Sequence, residues 1–146
     1  MSQATVNLPR FLLDIDGVCA DFLGAALQNM AAVRVVTSPI HGPAWYYERS
    51  EWCATHLSIA PHHVIHKHEK WTEHGDYLLD DKPAHVTNWA KAHPHGIGLL
   101  WDQPYNRTSE IEVSLPNVRR VSTWEQVHLI VRPWTMRPYH STEHRP

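Results

Sequence analysis

Apolar residues in this chain fall into two alternating kinds of stretch: short, nearly unbroken runs, and longer segments whose apolar positions recur at helical spacing. Unbroken runs of four or five residues suit strands covered on both faces, as in a parallel sheet, whereas recurrence every three or four positions suits one face of a helix. The run Arg10-Phe-Leu-Leu-Asp14 predicts a buried strand ending in an acid. Phe22, Leu23, Ala26, Leu27, Met30 and Val33 predict a helix over Ala20 to Val33. Val33-Arg-Val-Val36 reads as a second strand, ending at Thr37-Ser38. Pro39 to Pro43 is a loop, and Ala44 to Leu57 a helix in which Trp45, Trp52, Cys53 and Leu57 can share a face. His63-Val-Ile-His66 is a third strand, and Tyr77-Leu-Leu79 a fourth, ending at Asp80-Asp81. Pro83 suits the first turn of a helix running to about His93. Ile97 to Trp101 is a fifth strand, Thr123 caps a final helix through Val131, and the Pro-, His- and Arg-rich tail from Arg132 reads as irregular. This alternation predicts an α/β three-layer, Rossmann-like fold with a parallel sheet of about five strands.

Composition changes the picture little. At 146 residues the chain is the size of one compact domain, with its core expected over about 8–131. Hydrophobic residues make up 42% and charged ones 19%, an ordinary globular balance. The formal charge of -2, with Lys and Arg scattered, argues against a strongly electrostatic nucleic-acid binder. The longest apolar runs, such as Gly98-Leu99-Leu100-Trp101, are far too short to cross a bilayer, so no membrane partner is expected. The polar stretch Met1 to Asn7, followed by an apolar run broken by acids, does not read as a signal peptide. Cys19 and Cys53 give neither a disulfide framework nor a zinc pattern, which leaves the cytoplasm as the expected compartment.

The candidate chemistry lies where strands end. Strands one, two and four finish at Asp14/Asp16, Thr37/Ser38 and Asp80/Asp81, and in an open parallel sheet the carboxyl ends of the strands form the ligand crevice. A carboxylate such as Asp14 can attack phosphorus and form an aspartyl-phosphate. A second one two residues later, Asp16, can protonate the leaving oxygen and then deprotonate water. Gly17 lets the chain turn there. Acids this close repel unless a cation sits between them, and Asp81 with Asp80 completes a hard oxygen site suited to Mg²⁺. Thr37 and Ser38 offer donors to a phosphate, and Lys70 or Lys67 an ammonium. Plainer readings exist for each piece. A D-x-D-G is often a turn or a calcium-like loop, a Thr-Ser pair a cap, and Asp80-Asp81 a helix start. Their co-occurrence in mechanistic order favours the catalytic reading.

Asp14-Ile-Asp-Gly-Val-Cys-Ala-Asp-Phe22 resembles the first motif of the haloacid dehalogenase superfamily, in detail that of the 5'(3')-deoxyribonucleotidases. Val36-Thr-Ser-Pro-Ile40 is similar to their second motif, and Lys70 with Gly75-Asp-Tyr-Leu-Leu-Asp-Asp-Lys82 to their third and fourth. Tyr105-Asn106-Arg107 and Arg119-Arg120 through Trp124 look like their C-terminal stretch, so the likeness runs from about Phe11 to Val127. It implies Asp14 as nucleophile, Asp16 as general acid/base, and Thr37, Ser38 and Lys70 as a phosphate clamp. It implies Mg²⁺ held by the Asp14 side chain, the Asp16 backbone carbonyl and the Asp81 side chain, with Asp80 orienting a metal-bound water and Asp76 bracing the loop.

The chain departs from these nucleotidases in one respect. They insert a helical cap between the first two motifs, whereas here only the segment Cys19 to Val36 stands in its place. Phe22 matches a pocket-facing aromatic of the family, and Trp45 and Tyr46 follow the second motif closely enough to border the site. The expected activity is Mg²⁺-dependent phosphomonoester hydrolysis, with a nucleoside monophosphate as substrate. The alternatives are a polynucleotide 3'-phosphatase whose open site admits a nucleic-acid end, and an idle binding scaffold; the oligomeric state is left open. The segment His62-His-Val-Ile-His-Lys-His68 lacks the cysteine or nearby acid that would complete a zinc site, and reads as a solvated strand with flanking loops.

Overall fold

A computed structural model describes residues 8–16, 18, 24–40, 42–107 and 115–135. Ten regular elements follow one another. They are β1 (Arg10–Leu13), α1 (Gly24–Met30), β2 (Ala32–Thr37), α2 (Pro43–Leu57), β3 (Val64–His66), β4 (Tyr77–Asp80), α3 (Pro83–Ala92), β5 (Ile97–Trp101), β6 (Val118–Val121) and α4 (Trp124–Thr135). Single 3-10 turns lie at Pro61–His63, Lys70–Thr72 and Pro104–Asn106.

The six strands form one sheet in the order β3-β2-β1-β4-β5-β6, and every neighbouring pair is parallel. In this register Phe11 lies between Val33 and Tyr77, and Leu13 between Val35 and Leu79. Side chains alternate between faces along a strand, and the core divides accordingly. Phe11, Leu13, Val33, Val35, Tyr77, Leu79 and Leu99 share one cluster with Leu27 of α1, Cys53 and Leu57 of α2, and Val127 and Val131 of α4. Leu12, Val36 and Leu78 point the other way, onto Trp89 of α3. Helices therefore cover both faces of a fully parallel sheet, the three-layer α/β arrangement expected from the sequence.

Several boundaries differ from the sequence reading. The sheet has six strands rather than about five, because Val118–Val121 joins β5 as an edge strand. Arg119 and Arg120 at its centre are exposed, so it lacks the unbroken apolar run that marks an interior strand. The first helix ends at Met30, and β2 begins at Ala32, which gives Val33 to the sheet. The last helix continues past Val131 to Thr135, where an irregular tail was expected from Arg132.

The feature that matters for function is the change of winding direction at the centre. From β1 the chain moves outward to β2 and β3, then returns to the other side for β4, β5 and β6. The carboxyl ends of β1 and β4 thus meet at a topological switch point, where open α/β sheets form their ligand crevice. Arg10 N donates to Asp76 Oδ2 at 2.7 Å, fixing the start of β4 beside the start of β1.

Candidate active site

Each acid at this crevice is placed by its strand. Asp14 follows β1 directly, and its N–H donates to Leu79 O at 2.9 Å, so the ladder to β4 continues one residue past the strand. Asp80 is the last residue of β4, and Asp81 follows. The three carboxyls are buried, and one oxygen from each lies within 4.8 Å of the others. Among the described residues this is the only group of three such side chains with metal-ligand spacing.

Lys70 reaches the group from the 3-10 turn before β4. It is 1% exposed, and its Nζ donates to Asp14 Oδ1 and Asp80 Oδ2, both at 2.7 Å. The turn is held by Thr72, whose hydroxyl and N–H both donate to Glu69 O. Lys67 points elsewhere, onto Glu73 Oε1 at 2.7 Å and Thr72 Oγ1 at 2.9 Å. Of the two lysines, only Lys70 serves the crevice.

Asp80 is fully engaged. Its Oδ1 accepts from Lys82 N at 2.9 Å, and its Oδ2, beside Lys70, lies 3.0 Å from His85 Nδ1. An ionised carboxylate only accepts, so Nδ1 carries the hydrogen. Asp81 is held from the loop after β5. Tyr105 donates its hydroxyl to Asp81 Oδ2, and Asn106 Nδ2 donates to Asp81 O at 2.7 Å.

The electrostatics describe a site short of positive charge. Burial, then the Asp80 charge, pushes Asp14 well above the ordinary carboxyl range, although Lys70 pulls it down. Burial also raises Asp81, aided by Asp80 and opposed by the Tyr105 hydroxyl. Burial alone would raise Asp80 too, but the His85 hydrogen bond and the Lys70 charge outweigh it and lower it to about 2. Burial would lower Lys70, but Asp80 and Asp14 win and raise it. One ammonium thus serves three carboxyls, and two of them resist ionisation. The donor set is all hard oxygen, and Asp81 Oδ1 is buried without a hydrogen-bond partner. These features fit a small divalent cation.

Thr37 ends β2 next to β1, and its Oγ1 and the Ser38 Oγ are likewise buried without partners. Lys70 still has a third N–H, since its described bonds use two. Unmet donors at the carboxyl end of the strand next to β1 are what an anion such as phosphate requires.

Asp16 stands apart from the trio. Its side chain is 56% exposed and pairs with Arg49 of α2, Nη1 lying 3.0 Å from Oδ1 and Nη2 3.4 Å from Oδ2. The Arg49 guanidinium lies 5.0 Å from the centre of the Trp45 ring, and Trp45, Tyr46 and His66 meet edge to face. Trp45 and Tyr46 are therefore linked to Asp16 through Arg49. Phe22, Gly17 and Cys19 lie outside the described residues.

Sequence reasoning missed His85 and gave Arg49, Tyr105, Asn106 and Arg120 no individual roles. Arg49 and His85 sit one helical turn or so beyond recognised residues, on faces that only the fold defines. No protein-family model matches this sequence, and no curated protein sequence matches it significantly. Among the described residues no helix is long and apolar enough to cross a membrane.

Proposed function

We propose that this chain is a Mg²⁺-dependent phosphomonoester hydrolase of the haloacid dehalogenase type, working through an aspartyl-phosphate. The observation that carries the reading is Asp14 at the end of the central strand, bonded at 2.7 Å to a buried lysine shared with Asp80, beside an unpartnered oxygen of Asp81. A purely structural cluster would not leave Asp81 Oδ1, Thr37 Oγ1 and Ser38 Oγ buried and unmet around one crevice.

Lys70 fixes the Asp14 carboxyl so that an oxygen faces the phosphorus. Asp14 attacks, the bond from phosphorus to the ester oxygen breaks, and Asp16, once its side chain leaves Arg49 and turns to the crevice, gives its proton to the departing alkoxide. Asp16 then takes a proton from water, which attacks the acyl phosphate and returns Asp14 as a carboxylate. Thr37 and Ser38 donate to the phosphoryl oxygens, and the third N–H of Lys70 adds charge. Mg²⁺ bound by Asp14, Asp81 and the Asp16 backbone carbonyl would offset the charge of the phosphoryl group.

A nucleoside monophosphate is the favoured substrate, with Trp45 and Tyr46 at the rim. A second reading, hydrolysis at a polynucleotide 3' end, is favoured by the short connection from Asp16 to Thr37, which has no length for a cap. The test is turnover of p-nitrophenyl phosphate with and without Mg²⁺, followed by mononucleotides against 3'-phosphorylated oligonucleotides. No hydrolysis of any ester with Mg²⁺ present would overturn the enzyme reading. Faster release from oligonucleotides would favour the second substrate.

A further inference from the structure

We propose that Tyr105 sets the metal preference of this site, holding Asp81 to one free oxygen so that magnesium is accepted and calcium disfavoured. The inference rests on the reading of Asp14 and Asp81 as ligands of a cation, and it assigns the preference to a residue that is not itself a ligand.

Tyr105 is 58% exposed, so burial of its ring does not explain its position. Its hydroxyl nevertheless reaches inward to Asp81 Oδ2. Its neighbour Asn106 is fully buried and ties the same turn to the crevice, donating to Asp81 O at 2.7 Å and Trp101 O at 2.8 Å. Arg120 of β6 holds the turn from behind, with Nη1 on Asn106 Oδ1 at 2.8 Å and Nη2 on Asn106 O at 2.9 Å. Arg120 Nη1 also meets Asp102 Oδ1 at 2.8 Å. The Pro104–Asn106 turn therefore grips Asp81 at both backbone and carboxylate, and is itself pinned to the sheet edge.

A carboxylate with Oδ2 engaged by a hydroxyl presents Oδ1 alone. Elsewhere in the group Lys70 meets Asp14 Oδ1, and Lys70, Lys82 and His85 take up both oxygens of Asp80. Magnesium takes single oxygens in a tight octahedron at about 2.0–2.1 Å and keeps waters, whereas calcium gathers about six to eight oxygens and readily uses both of one carboxylate. Releasing Asp81 Oδ2 would restore the option that calcium uses. Tyr105 is thus a positioning residue acting through Asp81.

The test is calorimetric titration of the full chain with MgCl₂ and CaCl₂, for wild type, Tyr105→Phe, Tyr105→Leu, Asp81→Asn and the Tyr105→Phe/Asp81→Asn double variant. Tyr105→Phe should weaken magnesium about tenfold, the lower end for losing a group that orients a ligand, and calcium by less than about threefold. Tyr105→Leu should shift the ratio the same way. The ion-free melting temperature should move by less than about 2 °C, which separates positioning from a structural role. On the Asp81→Asn background the tyrosine change should leave the ratio unmoved. Equal loss for both ions, no change in either, or a shift that persists without the Asp81 carboxylate would overturn the inference alone. A wild-type chain that binds neither cation would overturn the cation site and this inference with it.

Discussion

Lys70 carries a charge that two buried carboxyls depend on. Removing one partner of a buried pair leaves the others desolvated and uncompensated, at a cost of about 3–5 kcal/mol. Lys70→Met should accordingly lower the unfolding free energy measured by urea denaturation by that much, even though the methionine fills much of the same volume. Asp14→Asn should behave in the opposite way. Asp14 is the acid held furthest above its ordinary range, so a neutral amide suits its surroundings. The ion-free variant should melt no lower than wild type while turnover of phosphate esters disappears, since an amide cannot form the phosphoryl intermediate. A folded Asp14→Asn chain with near wild-type turnover would sink the mechanism. Asp16→Asn should lose roughly 10²–10⁴ in rate on unactivated esters. In single-turnover phosphorylation it should lose less on p-nitrophenyl phosphate, whose leaving group hardly needs a proton.

Helix α3 lies close against β5 because Gly98 has no side chain. A Cβ there would come within 2.8 Å of Val86 Cγ1 and 3.4 Å of Val86 O. Gly98→Ala should destabilise by about 1–3 kcal/mol, the range for overpacking, as read from chemical denaturation. The start of each helix and strand on this side could be read from the sequence, because buried runs and prolines mark them. Other boundaries could not. Met30, Ala31 and Val33 fit either a helix face or a strand, and only pairing of Arg10 with Ala32 settles where β2 begins. β6 has the pattern Val-Arg-Arg-Val, and an edge strand with exposed central charges carries no apolar signal. At the site, the acids, the Thr-Ser pair and Lys70 stood out because each falls at a strand end or at recognised spacing. Arg49, His85 and Tyr105 act across the fold from helix faces and a turn, where separation in sequence says nothing about distance.

The connection from Asp16 to Thr37 leaves little chain to wrap a substrate, and specificity requires contacts that the wrong substrate fails to make. Preference among the four nucleobases should stay under about tenfold, since tenfold demands roughly 1.4 kcal/mol of selective contact. A competition assay with the four monophosphates measures this directly, and a sharp preference by an isolated monomer would contradict it. The buried trio should also make stability depend on pH. Asp14 keeps its proton to higher pH when folded than when unfolded. The ion-free folded chain therefore binds more protons above the ordinary value of 3.8, and its stability falls as pH rises towards the raised value. Asp80 acts oppositely: its contribution is full above 3.8 and is lost as pH falls towards 2. A cation needs Asp14 ionised, so the rise in melting temperature on adding Mg²⁺ should grow as pH climbs through the raised Asp14 value. Asp14→Asn should flatten that growth.

The two borders of the sheet bear on how copies of the chain behave in concentrated solution. An outermost strand offers unpaired N–H and C=O groups that another chain can zip onto. β3 is three residues long, too short to template much pairing, and β6, outermost among the described strands, carries Arg119 and Arg120 exposed on its two opposite faces. Arg120 is already tied to Asn106 and Asp102, so Arg119 is the guanidinium left to repel an incoming strand. Replacing it with valine would turn β6 into an apolar, β-favouring ribbon facing solvent. Arg119→Val should keep its catalytic rate yet scatter light at concentrations where wild type stays clear, which makes this arginine a guard against sheet-to-sheet polymerisation.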